Sequence, residues 1–122
     1  MNVRPCALIV EDELFVALDL EGAMVEMGFY VCGVAPTQDR AYSLAASEQP
    51  DLILMDVCLQ GGQEGIEAAR CLREACRAEV VFVTGHTDRA TLERINEEVP
   101  GAPVLTKPIS HARLAEVVAA LV

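Results

Sequence analysis

The chain has 122 residues, the size of one ordinary domain, so a single hydrophobic core is expected. Hydrophobic residues make up 52% and charged residues 23% of the chain, which indicates a compact globular protein and disfavours disorder or a coiled coil. Nineteen acidic against nine basic residues give a formal net charge of −10. This charge has the wrong sign for a nucleic-acid backbone or an anionic membrane surface, so we expect binding to neither.

The cysteines and the N-terminus indicate the cellular compartment. Five cysteines without a C-x-x-C pair, most of them in apolar surroundings, predict reduced thiols in the core rather than disulfides or zinc ligands. The first residues lack the basic segment and apolar run of a signal peptide. No stretch approaches the about 18 apolar residues that a membrane span requires. We therefore expect a cytoplasmic protein.

Five short apolar runs recur along the sequence without alternating with polar residues. Runs rich in Val, Ile and Leu are typical of strands that are buried on both faces of a parallel sheet. The five predicted strands are Cys6–Val10, Phe29–Val34, Leu52–Met55, Val80–Val83 and Val104–Leu105.

Between these runs, apolar residues occur at helical spacing, and several segments begin with a residue that commonly caps helices. The predicted helices are residues 14–27 with Gly28 as a stop, a second from Thr37 to Pro50, a third from about Ile66 to Cys76, a fourth capped by Asp88 that buries Leu92, Ile95 and Val99, and a fifth capped by Ser110. Alternating strands and helices predict an open, doubly wound parallel α/β sheet. Such sheets bind ligands at the carboxyl ends of their strands.

The residues that follow the predicted strands carry the functional signal. Glu11 and Asp12 follow the first strand, Asp56 the third and Thr84 the fourth, and Lys107 comes two residues after the fifth and is the only lysine. Each alone has an ordinary structural explanation, such as an acid that complements a helix dipole, a Thr-Gly turn or a solvated lysine. Because the carboxyl ends of parallel strands meet at one edge, their joint occurrence favours a site there.

The charges expected at this edge indicate a metal ion. Three carboxylates about 5 Å apart would repel by roughly 3 kcal/mol per pair at an effective dielectric of about 20. That repulsion is comparable with the about 5 to 15 kcal/mol by which a typical domain is stable. Lys107 offsets one charge, and Mg²⁺ would neutralise the remainder while leaving positions open for a phosphoryl group. Such a site suits phosphoryl transfer to a carboxylate, with Asp56 as the nucleophile.

Four segments occur in order along the chain and together form a specific pattern: Leu8–Glu13, Leu52–Asp56, Val81–Gly85 and Leu105–Pro108. Through them the sequence closely resembles the receiver domain of two-component response regulators over essentially its whole length. We therefore expect one receiver domain spanning residues 1–122. The resemblance implies a flavodoxin-like (βα)5 fold with five parallel strands in the order 2-1-3-4-5.

The resemblance also implies roles for single residues. Asp56 would accept the phosphoryl group from the phosphohistidine of a histidine kinase or phosphotransfer protein. Asp12, Asp56 and the backbone carbonyl of Cys58 would ligate Mg²⁺, with Glu11 acting mainly through water. Thr84 would donate its hydroxyl to the phosphorylated aspartate.

Two further implications concern the fifth strand and its surroundings. Lys107 would pair with the phosphorylated aspartate, and the Lys107–Pro108 peptide bond would be cis. Movement of Thr84 would bias the face formed by the fourth helix, fifth strand and fifth helix, where a downstream protein partner would bind. Homodimerisation on phosphorylation is compatible with the resemblance.

Some positions depart from the common family pattern. Val104 stands where the family usually carries a Tyr or Phe that moves with the threonine. Phe82–Gly85 partly resembles the Phe-Ala-Thr-Gly signature of the FAT GUY subgroup of single-domain receivers, which also lacks that aromatic. Cys58 and His86 occupy positions that in the family tune the lifetime of the phosphoryl group. Simple packing of Cys58 and solvation of His86 are the alternatives.

Two other functions compete with a phosphoacceptor receiver. A hydrolase of the haloacid-dehalogenase type also forms an aspartyl phosphate, but it uses a second Asp two residues after the nucleophile, where this chain has Cys58. A receiver-like module that binds partners without phosphorylation would not need the full set of chemical residues. We expect a signalling module that catalyses its own phosphorylation and dephosphorylation, not a separate enzyme.

Overall fold

A computed structural model describes residues 4–60 and 62–121 of the chain. Strands and helices alternate along these residues: β1 Cys6–Val10, α1 Leu14–Glu26, β2 Tyr30–Ala35, α2 Gln38–Glu48, β3 Leu52–Met55, α3 Glu64–Cys76, β4 Glu79–Thr84, α4 Arg89–Glu98, β5 Val104–Thr106 and α5 His111–Leu121. The expected domain also includes residues 1–3, 61 and 122, which lie outside the described residues. The predicted alternation of strands and helices is confirmed.

The strands form one parallel sheet in the order β2-β1-β3-β4-β5, as the resemblance implies. β1 lies beside β3 at the centre, with Ala7 opposite Leu52 and Val10 opposite Met55. Both strands are covered on two faces, which explains why their sequences are apolar without alternation. The strand order reverses between β1 and β3, and sheets of this kind bind ligands at the carboxyl side of that point.

The sheet separates two apolar cores. α1 and α5 cover one face, where Met24 and Leu114 are fully buried. α2, α3 and α4 cover the other face around Leu8, Ile66 and Phe82. Because each fully buried side chain of this size contributes about 1.5 to 3 kcal/mol, these two layers hold the strand ends in place.

The helix ends follow local sequence signals. Gly28 follows α1 with a φ of 93°, a conformation that glycine adopts without the steric cost of a Cβ. Three side chains cap helices as predicted, each accepting a hydrogen bond from the backbone N–H three residues later: Thr37 at 3.1 Å, Asp88 at 3.1 Å and Ser110 at 3.2 Å. None of the helices among the described residues is long and apolar enough to cross a bilayer.

Some predicted details are wrong. β2 begins at Tyr30 because the N–H of Phe29 donates instead to the end of α1. α3 begins at Glu64, earlier than predicted, and its first turn is acidic, which suits a helix N-terminus. α4 buries Thr91 rather than Leu92, which is 39% exposed, because hydrogen bonds hold Thr91 inward. The five cysteines are free, as predicted, but half-buried rather than fully in the core.

Candidate functional site

The carboxyl ends of four strands surround one pocket. Glu11 directly follows β1 and Asp56 directly follows β3, the two strands at the reversal of strand order. Thr84 is the last residue of β4, and Lys107 directly follows β5. Backbone hydrogen bonds continue the strand pairing into the pocket, since Asp56 N donates to Val10 O and Lys107 N to Thr84 O, both at 2.9 Å. The pairing of the strands therefore fixes the backbone positions from which these side chains extend.

Three carboxylates meet in this pocket. Glu11, Asp12 and Asp56 each have an oxygen within 4.8 Å of the other two. Glu11 and Asp56 are 2% and 4% exposed, whereas Asp12 is exposed. The backbone N–H of Gln60 donates to Asp12 Oδ2 at 2.9 Å and holds that side chain. The structure thus brings together the acids that the sequence places at the strand ends.

Lys107 is the counter-charge of the pocket. Its Nζ lies 2.8 Å from Glu11 Oε1, 3.2 Å from Asp56 Oδ2 and 3.4 Å from Glu13 Oε1. Burial alone would lower the pKa of Lys107, but the two buried carboxylates outweigh that effect and raise it. Glu13 was not predicted as a site residue. Its signal in the sequence is the run Glu-Asp-Glu directly after β1.

Glu11 shows how well the pocket fits a cation. Burial, only partly offset by Lys107, raises the pKa of Glu11 from 4.5 to about 7. Within the described residues, Glu11 Oε1 accepts no hydrogen bond of good geometry, although Lys107 Nζ is 2.8 Å away. A buried oxygen without a donor is costly, and a cation would satisfy it. Because carboxylate oxygens are the ligands that Mg²⁺ prefers, the residues fit this ion.

Among the other predicted site positions, Cys58 and His86 contact pocket side chains through their backbone N–H groups. Thr84 is fully buried, and its Oγ1 accepts a hydrogen bond from His86 N at 3.0 Å, which leaves the hydroxyl proton for another acceptor. Cys58 N donates to Asp56 Oδ1 at 3.3 Å. Burial, with the charge of Asp56, raises the pKa of the Cys58 thiol. The Lys107–Pro108 peptide bond is cis.

Gly65 is a position that the sequence did not reveal. Its N–H donates to Val57 O at 3.0 Å, so that α3 packs directly on the loop after Asp56. A Cβ at Gly65 would overlap the carbonyl oxygen of Asp56. The only signal in the sequence is a glycine just before the apolar face of α3. Close approach of two backbones therefore requires a glycine here.

The fold and the pocket together define a flavodoxin-like α/β protein with an acidic site, and a lysine as its counter-charge, at the centre of the carboxyl edge. The family described as the response regulator receiver domain matches residues 7–119, and the chain belongs to this family. Membership places the chain in two-component signal transduction.

Relatives from two bacteria support this assignment. The phyllosphere-induced regulator PhyR of Methylorubrum extorquens is 34% identical over 112 residues, which cover 91% of this chain and 41% of PhyR. The transcriptional regulatory protein PdtaR of Mycobacterium tuberculosis is 34% identical over 107 residues, covering 88% of this chain and 51% of PdtaR. The chain thus spans about half the length, or less, of these relatives.

A solved structure shows the same fold. The solution structure of the receiver domain of PhyR from Erythrobacter litoralis matches with a TM-score of 0.85 at 25% identity. The match covers 97% of this chain and 89% of that chain. The described residues therefore have the architecture of a receiver domain from end to end.

Proposed function

We propose that this receiver domain, working in the cytoplasm, accepts a phosphoryl group on Asp56 from the phosphohistidine of a histidine kinase or phosphotransfer protein. The position of Asp56 carries the proposal. Its carboxylate is buried, lies 3.2 Å from the Lys107 ammonium and shares its surroundings with Glu11 and Asp12. The family match to residues 7–119 also supports a single domain over residues 1–122.

The proposed step is a transfer between two nucleophiles. A carboxylate oxygen of Asp56 forms a bond to phosphorus while the phosphorus–nitrogen bond of the phosphohistidine breaks, and the histidine nitrogen keeps the electron pair. Lys107 remains charged and pairs with the phosphoryl oxygens. Mg²⁺, held by Asp12, Asp56 and the carbonyl of Cys58 with Glu11 acting through water, would neutralise further charge on the transferring group.

Thr84 is proposed to convert phosphorylation into a change of structure. Its oxygen is held by His86 N at 3.0 Å, and its proton would be drawn to the phosphoryl group on Asp56. The loop after β4 would follow and bias the α4-β5-α5 face. A cavity of about 280 Å³, lined by residues that include Val104 and Pro108, opens beside β5. We propose that a downstream protein partner binds this face.

Cys58 and His86 are the proposed tuning residues. Each donates its backbone N–H to a side chain of the pocket, Cys58 to Asp56 and His86 to Thr84. This tuning role is tested by measuring the half-life of the phosphoryl group in variants of the Cys58 and His86 side chains. The raised pKa of the Cys58 thiol makes it a poor substitute for the acid/base carboxylate of a hydrolase.

The start of α1 offers a docking surface for the protein that donates the phosphoryl group. Leu14, Phe15 and Leu18 are 65%, 85% and 50% exposed, and Phe15 and Lys107 line the same cavity. Exposed apolar patches of this kind commonly bind proteins. We expect Phe15→Ser to slow transfer from a histidine kinase that phosphorylates the wild-type chain, and to leave transfer from acetyl phosphate unchanged. Val25→Ser, at an exposed site further along α1, is the matched control.

The proposed function is tested with Mg²⁺ and acetyl phosphate, followed by mass spectrometric location of acid-labile phosphate. We expect one phosphate on Asp56, none in Asp56→Asn, and unchanged labelling in Asp51→Asn. Labelling that survives Asp56→Asn would contradict the assignment. Rapid multiple turnover of assorted phosphate esters would favour the hydrolase, and partner binding without any labelling would favour the phosphorylation-independent module.

A further inference from the structure

We propose that the side chain of Gln63 couples the acidic pocket to α4, in place of the aromatic residue that receivers usually carry at the position of Val104. Gln63 directly precedes α3, at the end of the β3–α3 loop, residues 57–63, of which residue 61 lies outside the described residues. The inference rests on the proposed function, because occupancy of the pocket is the signal that Gln63 would transmit.

The β3–α3 loop contains a tight turn that is expected to move as one unit. Leu59 and Gly62 exchange both of their backbone hydrogen bonds, with N–O distances of 3.0 and 3.1 Å. Leu59 is 2% exposed and packs in the core, while Gln60 has a φ of 52° at the tip of the turn. A displacement at one end of this turn is therefore carried to the other end.

The first part of the loop contacts two pocket carboxylates. Cys58 N donates to Asp56 Oδ1 at 3.3 Å, and Gln60 N donates to Asp12 Oδ2 at 2.9 Å. A cation or a phosphoryl group would compete with these N–H groups for the same oxygens. The loop therefore responds to the state of the pocket at two points.

The far end of the loop is bound to α4 by a single amide group. Gln63 Nε2 donates to Thr91 Oγ1 at 3.3 Å, and Gln63 Oε1 accepts from Arg94 Nη1 at 3.1 Å. The Thr91 hydroxyl in turn donates to Oδ1 of the α4 cap, Asp88, at 2.8 Å. Gln63 thus uses both its donor and its acceptor on consecutive turns of one helix.

The attachment matters because α4 has few other buried anchors. Of the ten residues of α4, all of which the structure describes, Thr91 and Ile95 are buried. One of the two anchors is therefore the partner of Gln63. A shift of the loop pulls directly on the first turn of α4, which belongs to the proposed partner-binding face.

The coupling is tested by NMR of the backbone amides of Thr91 and Arg94, recorded before and after Mg²⁺ and acetyl phosphate are added. In Gln63→Ala we expect wild-type phosphorylation of Asp56 and wild-type shifts in the β3–α3 loop, with the α4 shifts reduced by more than half. Arg73→Ala is the matched control, since it removes a different α3 contact, to Pro100 O at 2.7 Å beyond α4. It should keep the full α4 response.

A second experiment needs no ligand and tests the coupling independently of phosphorylation. Asp12→Ala removes the acceptor of Gln60 N and should shift the Thr91 and Arg94 amides, but not when Gln63→Ala is also present. If the wild-type chain is not phosphorylated, the proposed function fails and this experiment still decides the coupling. Equal shifts of the α4 amides with and without the Gln63 side chain would overturn the proposed coupling. An equal loss of these shifts in Arg73→Ala would overturn it as well.

Discussion

The two ends of β3 each carry an aspartate, and their difference shows what surroundings do to a carboxylate. Asp51 precedes the strand, is exposed and accepts one hydrogen bond from Cys6 N at 2.8 Å. Asp56 follows the strand, is 4% exposed and faces Lys107 and two further carboxylates. Charge interactions are several times stronger at the buried end than in water. The same residue type therefore makes a structural hydrogen bond at one edge of the sheet and forms the proposed phosphoacceptor at the other.

The neighbouring strands explain the contrast. The residues that directly precede the strands are Pro5, Phe29, Asp51, Ala78 and Pro103, among which Asp51 is the only charged one. The opposite edge collects charge from β1, β3 and β5. Charge is crowded at one edge, whereas the strand starts carry only Asp51 and, as the first residue of β4, Glu79. This difference makes one end of the sheet chemically active and the other structural.

Removal of the counter-charge at the carboxyl edge is expected to have the largest effect on stability. Lys107→Ala at pH 8, with a chelator present, should lower the free energy of unfolding by about 3 to 4 kcal/mol, because it leaves buried carboxylates uncompensated. Urea denaturation measures the change. Arg89→Ala is the control, since it breaks an exposed pair with Glu93 and should cost less than about 0.5 kcal/mol. Equal losses would show that the pocket pair is an ordinary surface pair.

The pH dependence of stability is the next largest expected effect. Because the pKa of Glu11 is about 7 in the folded chain and 4.5 ordinarily, the folded state binds more protons than the unfolded state between these values. The free energy of unfolding should therefore fall by about 3 kcal/mol as the pH rises through this range. The loss should be absent from Glu11→Gln, as measured by urea denaturation from pH 4.5 to 8 with a chelator. Parallel curves for the two chains would argue against a buried, protonated Glu11.

Addition of Mg²⁺ is expected to give the smallest of these three effects on stability and to distinguish Asp12 from Asp51. At about ten times its Kd, the ion should raise the free energy of unfolding by about 1.4 kcal/mol. Asp12→Asn should remove most of this gain, whereas Asp51→Asn should keep it. Thermal or urea denaturation with and without Mg²⁺ gives the result. A gain that survives Asp12→Asn would place the ion elsewhere.

Much of the fold could be predicted because its signals are local. Apolar runs and caps such as Thr37 and Ser110 act within a few residues of where they occur, and the bounds of β2 and α3 differ from the prediction by only one or two residues. The buried face of α4 was predicted less well. Thr91 is buried and accepts a hydrogen bond from Gln63 at the end of the β3–α3 loop, and periodicity of apolar residues does not reveal such a contact.

The candidate site was predictable in its residue types and less so in its contacts. Glu11, Asp56 and Lys107 could be named because they follow strands of a parallel sheet. Gly65 and Gln63 could not, since their importance depends on how closely α3 approaches the loop after β3 and α4. Contacts of this kind involve backbone groups and polar side chains that have no distinctive sequence pattern.

By itself, the sequence determined the order of strands and helices and the side chains that end each strand, because hydrophobic periodicity and capping are properties of neighbouring residues. Only the tertiary structure decided that the ammonium of Lys107 pairs with three carboxylates. It also decided that burial raises the pKa of Glu11 to about 7. Lys107 and Asp56 are 51 residues apart in the chain, and their 3.2 Å separation exists only because parallel strands bring their ends to a common edge.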